Sequence, residues 1–97
     1  MKWRMSLQAN ADLRRIAHRI AMDNPRAAAE WLTRFRERAR LAGRSPGLGR
    51  KVPELDREDV REAIVGNYRL VYRVEAKVVV IWTIVEGHHL LPDLDGE

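Results

Sequence analysis

The chain has no cysteine among its 97 residues, so neither a disulfide nor a thiolate metal site can supplement its core. A chain of this length buries roughly 60–65% of its unfolded surface, enough for one modest core. The opening "MKWRMSLQANADLRR" holds no apolar run of signal-peptide length. The longest apolar run, "VVVIWTIV" at 78–85, is too short to span a bilayer as a helix. Internal repeats and low-complexity tracts are absent as well. These absences lead to the expectation of one domain over residues 1–97, soluble and cytoplasmic, with no membrane partner.

Several chemistries drop out on the same grounds. His18, His88 and His89 form no metal-ligand spacing with a second motif. "GRSPGLGRK" is glycine-rich and basic but lacks the glycine-lysine-Ser/Thr order of a phosphate loop. The sequence assembles no Ser/His/Asp set, and neither a metal nor a cofactor is expected.

Charge is present and unevenly spread. Residues 1–51 carry 13 Lys/Arg against 4 Asp/Glu, a net of +9, while residues 52–97 carry 5 against 10, a net of −5. A basic block of this kind suits either a solvated helix face or an acidic or nucleic-acid partner.

"WRMS" at 3–6 alternates apolar and polar side chains and predicts a short opening strand. Ser6 is placed to cap a helix in which Leu13, Ile16, Ala17 and Ile20 recur at helical spacing. Asp12 falls early in that helix, where a carboxylate is at worst neutral to the dipole. "DNP" at 23–25 ends it, with Asn24 capping a second helix that starts at Pro25. The second helix sets Ala28, Trp31, Leu32, Phe35, Ala39 and Ala42 on one stripe, and Gly43 is expected to close it. After a turn-rich stretch the period changes to two. "VREAIV" and "YRLVYRV" flank Gly66-Asn67, and Glu75-Ala76 is expected to turn into "VVVIWTIV". The fold class is α+β: an antiparallel helical hairpin packed on a mainly antiparallel sheet, in the order β-α-α-β-β-β.

A turn at Gly66-Asn67 sets Val65 opposite Tyr68, Ile64 opposite Arg69 and Glu62 opposite Val71. One face then holds Ala63, Val65, Tyr68, Leu70, Tyr72 and Val74, a floor for the helices. The other holds Val60, Glu62, Ile64, Arg69, Val71 and Arg73, and gains Val78, Val80, Trp82 and Ile84, with Trp82 opposite Arg69. Two helices cover one face, so the second is expected to meet a partner through Ile64, Arg69, Val71, Arg73, Val80 and Trp82. The alternative is that the 44–59 loop or the C-terminal tail folds over it, with Glu62 neutralising the arginines.

The residues also carry a resemblance. "AxxDLxxI" (Ala9, Asp12, Leu13, Ile16), "DNPRAA" at 23–28, "PGLGRKVPEL" at 46–55, "REAIVGNYRLVYRV" at 61–74 and the valine-rich last strand occur in order. Together they resemble the ParE/RelE superfamily of toxins from type II toxin–antitoxin pairs, its ParE-like branch above all. The resemblance covers about residues 5–88. It implies the same fold and a ParD- or RelB-like antitoxin that wraps and neutralises the toxin.

Two activities are known on this fold. ParE-like members are described as poisoning DNA gyrase by protein contact, and RelE-like members as cleaving messenger RNA in the ribosome. For ribonuclease chemistry the resemblance offers Glu54 in "PEL" where some members carry a catalytic glutamate, Arg61 as a phosphate contact, and His88 or His89 as a terminal histidine, with Arg69 and Arg73 completing the candidate site. The chain reads "EGHH" where ParE-like chains tend to end "HGRR", and no tyrosine follows the histidines. The gyrase-directed reading comes first and the ribonuclease second. A basic nucleic-acid-binding module or an inactive toxin is the third.

Overall fold

The computed structural model, which describes residues 1–87 and 89–93, begins with a strand β1 (Lys2–Met5) that hands over to helix α1 (Leu7–Asp23) at Ser6. The Ser6 hydroxyl accepts the Ala9 N–H at 2.9 Å and donates to the Trp82 carbonyl at 2.7 Å. One side chain thus caps the helix and ties its start to the sheet. Asn24 ends α1 through its backbone N–H to the Ile20 carbonyl, and its side chain caps α2 (Pro25–Arg44) at the Ala27 N–H. Proline in the first turn fits this start, because its missing N–H would have no partner there.

Gly43 does not close α2. The helix continues to Arg44 and is capped at Ser45. Gly43 is buried instead, and a Cβ on it would lie 3.0 Å from the Met1 carbonyl oxygen and 3.3 Å from the Trp3 side chain. The glycine serves close packing of α2 on β1.

After a 3-10 turn (Pro46–Leu48) come β2 (Arg50–Lys51), β3 (Val60–Val65), β4 (Tyr68–Val74) and β5 (Val78–Glu86). The sheet order is β1-β5-β4-β3-β2, antiparallel except where β1 runs parallel to β5. The two-residue β2 is an addition to the expected strands, seated where the turn-rich stretch passes β3. The β3–β4 register matches the one read from the Gly66-Asn67 turn. Gly66 takes φ +61°, the left-handed conformation that such a turn demands of its first residue.

The last hairpin differs from expectation in two ways. Glu75 N–H donates to the Val78 carbonyl, so the turn falls on Ala76-Lys77, one residue late. A bulge between Val71 and Tyr72 on β4 then leaves Trp82 as the extra residue of β5. The late turn shifts pairing by two and preserves the faces, so Val80 and Trp82 stay on the second face. The bulge shifts it by one more, so Ile84 joins the helix-side core and Val85, not Trp82, lies opposite Arg69.

The main core joins both helices to the sheet around Phe35, Leu70, Tyr72, Ile81 and Ile84. Trp31, Phe35 and Tyr68 meet within it, with Tyr68 edge-on to both other rings at centroid distances of 5.3 Å. A second, smaller core lies on the opposite face, where Val52, Val60, Val71 and Trp82 are buried and Leu55 and Leu91 pack against them. Trp82 is only 2% exposed. The chain itself therefore covers this face with its 52–55 segment and Leu91. Burying these apolar groups within one chain removes the cost of leaving them wet.

Candidate functional site

Arg69 stands at the centre of the second face. Its Nε donates to Glu62 Oε1 at 2.7 Å, while Nη1 and Nη2 donate to Glu54 Oε2 and Oε1 at 2.7 and 2.8 Å. Glu62 is 1% exposed and divides its two oxygens, with Oε2 accepting from Arg50 Nε at 2.6 Å. Strand pairing explains the cluster. Glu62 lies opposite Arg50 on β2, and it is diagonal to Arg69 across the β3–β4 hairpin. The turn after β2 then brings Glu54 back onto the guanidinium. Two cations and two carboxylates neutralise one another.

This arrangement fixes the protonation states. The Arg69 fork holds Glu54 down from 4.5 to about 2, against a smaller opposing effect of burial. Arg69 is raised above its ordinary value, first by its hydrogen bonds to Glu54. Glu54 is accordingly a fixed anion, far from the neutral range in which a general base works. Arg69 offers no free pair of donors to fork a phosphate.

The other expected residues are placed as follows. Arg61 lies opposite Tyr72, donating Nη1 to the Gly49 carbonyl at 2.9 Å and pairing with Glu58. Arg73 pairs with Glu75 at 2.7 Å. Val71, Val80 and Trp82 are buried, while Ile64 is 56% exposed. His89 lines a hollow with Asn67, Glu86 and Gly87; none of the Arg69 network lines it. His88 lies outside the described residues. The structure thus brings Glu54, Glu62 and Arg69 together and keeps His89 in a separate hollow. Among the described residues no group of His, Cys, Asp or Glu could hold a metal ion. No described helix is long and apolar enough to cross a membrane.

A groove at the sheet edge supplies the remaining feature. Arg34, Glu37, Arg38 and Leu41 of α2 line one wall, and Ile64 and Val65 of β3 the other. Arg34 stacks over the Trp31 ring at 4.2 Å. Arg38 Nη1 is covered from solvent and has no hydrogen-bond partner among the described residues. An unsatisfied donor of that kind costs about 1–3 kcal/mol, and more when charged. Sequence reasoning passed over this groove. The 34/37/38/41 spacing was its available signal, since it sets those side chains on one helix face.

Against known proteins, the model of the ParE toxin of the type II toxin–antitoxin system parDE matches residues 4–90. The chain belongs to the ParE toxin family. Among solved structures it is similar to the chromosomal ParDE toxin–antitoxin system from P. aeruginosa, with a TM-score of 0.72 and 21% identity over 89% of this chain and 95% of that one. It is also similar to the toxin–antitoxin complex RelBE2 from Mycobacterium tuberculosis, with a TM-score of 0.58 and 26% identity over 88% and 95% of the two chains. No curated protein sequence matches it. For this ParE-family chain the buried Asp12 gains a role that sequence alone did not reveal. Its Oδ2 accepts the Thr83 hydroxyl at 2.5 Å and the Ile84 N–H at 3.0 Å, beside the Trp82 bulge. The motif residue pins the bulge that sorts β5 between the two cores.

Proposed function

We propose that this ParE-family toxin acts by protein–protein contact on DNA gyrase and is neutralised by a cognate antitoxin. One observation carries the non-nuclease reading. Each of the three arginines expected at a ribonuclease site is already matched to a carboxylate: Arg69 to Glu54 and Glu62, Arg61 to Glu58, and Arg73 to Glu75. RNA cleavage through the 2′-hydroxyl needs charge stabilisation at the phosphate and a group able to exchange a proton. Glu54, held at about 2, supplies neither as it stands. Membership of the ParE family supports the gyrase target over the ribosome, and the antitoxin partner accords with the two toxin–antitoxin systems that share the fold.

Ile64 and Arg73 are assigned to direct partner contact. Arg69, Val71, Val80 and Trp82 serve it from beneath, by holding the 52–55 segment in place. Induced expression tests the reading, with plasmid topology and transcript integrity followed in the same cells. Loss of negative supercoiling with intact transcripts is expected, and co-expressed antitoxin restores growth. Cut transcripts with normal supercoiling would replace this reading with a ribosome-dependent endoribonuclease.

A further inference from the structure

We propose that the outer surface of the helical hairpin binds the phosphate backbone of duplex DNA without reading its sequence, through Arg14 on α1 and the row Arg36, Arg40 and Arg44 on α2. This contact goes beyond the gyrase reading above and is independent of it, since it needs only the chain and bare DNA.

Unmatched charge is the first ground. Arg50, Arg61, Arg69 and Arg73 on the sheet each have a carboxylate. Arg14, Arg36, Arg40 and Arg44 are exposed, and their side chains have no ion pair or hydrogen bond among the described residues. Like charges four residues apart destabilise a helix. Arg44 is offset by the negative end of α2, since it lies in the last turn. Arg36 and Arg40 have no such compensation. A polyanion lying against them turns that repulsion into attraction.

Placement is the second. Arg14 and Arg36 flank a groove between the two helices, with Asn10 as a further donor beside Leu13, Ala17 and Leu32. None of these lining residues is acidic. From Arg36 the row runs along α2 in steps of about 6 Å, turning slowly from the groove to the outer face. Duplex DNA carries one phosphate charge per about 1.7 Å of its axis, so a rod of this kind meets several phosphates at once.

Other polyanions fit this surface less well. Single strands are held by stacking on exposed aromatic rings, and the hairpin's two, Trp31 and Phe35, pack with each other and with Tyr68. A membrane-surface helix needs an apolar face toward the lipid, whereas the apolar stripes of α1 and α2 are turned to the sheet.

The test follows the fluorescence anisotropy of a labelled short DNA duplex as the purified full-length chain is added at several salt concentrations. About three phosphate contacts predict an affinity that falls about fortyfold between about 50 and 200 mM salt. Arg36→Gln and Arg40→Gln together are expected to weaken binding about tenfold at the lower salt and to flatten the salt dependence by about two contacts. Their melting temperature should be no lower than the parent's, because the substitutions relieve repulsion. Arg36→Lys with Arg40→Lys should keep the salt dependence, because the row acts by charge. Arg57→Gln, exposed on the sheet side and paired with Asp59, should leave binding as it was. Absence of binding at low salt, or parental binding by the double glutamine variant, overturns the proposal and leaves the toxin reading intact. Tighter binding to single-stranded RNA, to anionic lipid vesicles or to an acidic polypeptide added as competitor overturns it in favour of that polyanion.

Discussion

At Glu54 a carboxylate and a guanidinium meet through two parallel hydrogen bonds, and the consequence is measurable by titration. Its value falls from 4.5 to about 2 on folding, so its stabilisation is fully present above about pH 4.5 and is lost as pH falls through about 2. Glu54→Gln should therefore be less stable than the parent near neutral pH by about 1 kcal/mol, a figure discounted for solvent around this half-exposed group. The gap should close in acid, as chemical denaturation across pH 2–7 would register; a constant gap contradicts the pairing. Asp12 is the second decisive residue. Asp12→Ala removes the acceptor for Thr83 and Ile84 and leaves buried donors unmatched, so a loss of about 2–4 kcal/mol is expected in denaturant unfolding. Unchanged stability would show that the bulge holds without it.

At the scale of elements, both helices and the β3–β4 hairpin were legible, because caps, helical spacing and a two-residue turn are local signals. The last hairpin was legible only in part. A run that is apolar on both faces accepts several registers equally well by pattern. Ile84 was therefore assigned to the wrong face and Trp82 to the wrong partner, and Asp12 on α1, far away in sequence, pins the bulge that sorts them. The cover over the second face was open to two readings for a related reason. "KVPELDRED" reads as a turn-rich loop, and only the fold seats Val52 and Leu55 on Trp82. Of the candidate site, the Glu62–Arg69 diagonal followed from register, whereas the Glu54 fork and the Arg38 groove required the third dimension. Gly66 tests the hairpin itself. It combines φ +61° with a Trp31 ring atom 2.4 Å from where a Cβ would sit. Gly66→Ala should cost about 2 kcal/mol, seen as a lower melting temperature. An equal melting temperature would mean that turn and ring adjust freely.

Across the whole molecule the charge asymmetry becomes spatial. The helical hairpin carries half of the 18 basic residues against four acidic ones, of which Asp12 is buried. Its outer surface is therefore strongly cationic, while the carboxylates of residues 54–75 largely neutralise the arginines of the sheet. A surface of that sign draws the chain toward acidic surfaces at long range. The proposed action by protein contact accords with that division of charge. The most direct measurement adds the purified chain to purified DNA gyrase and relaxed plasmid with ATP, alongside translating ribosomes loaded with a labelled message. The account predicts that supercoiling falls in proportion to the chain added, antitoxin restores it, and the message stays whole. Normal supercoiling with a cleaved message would contradict it.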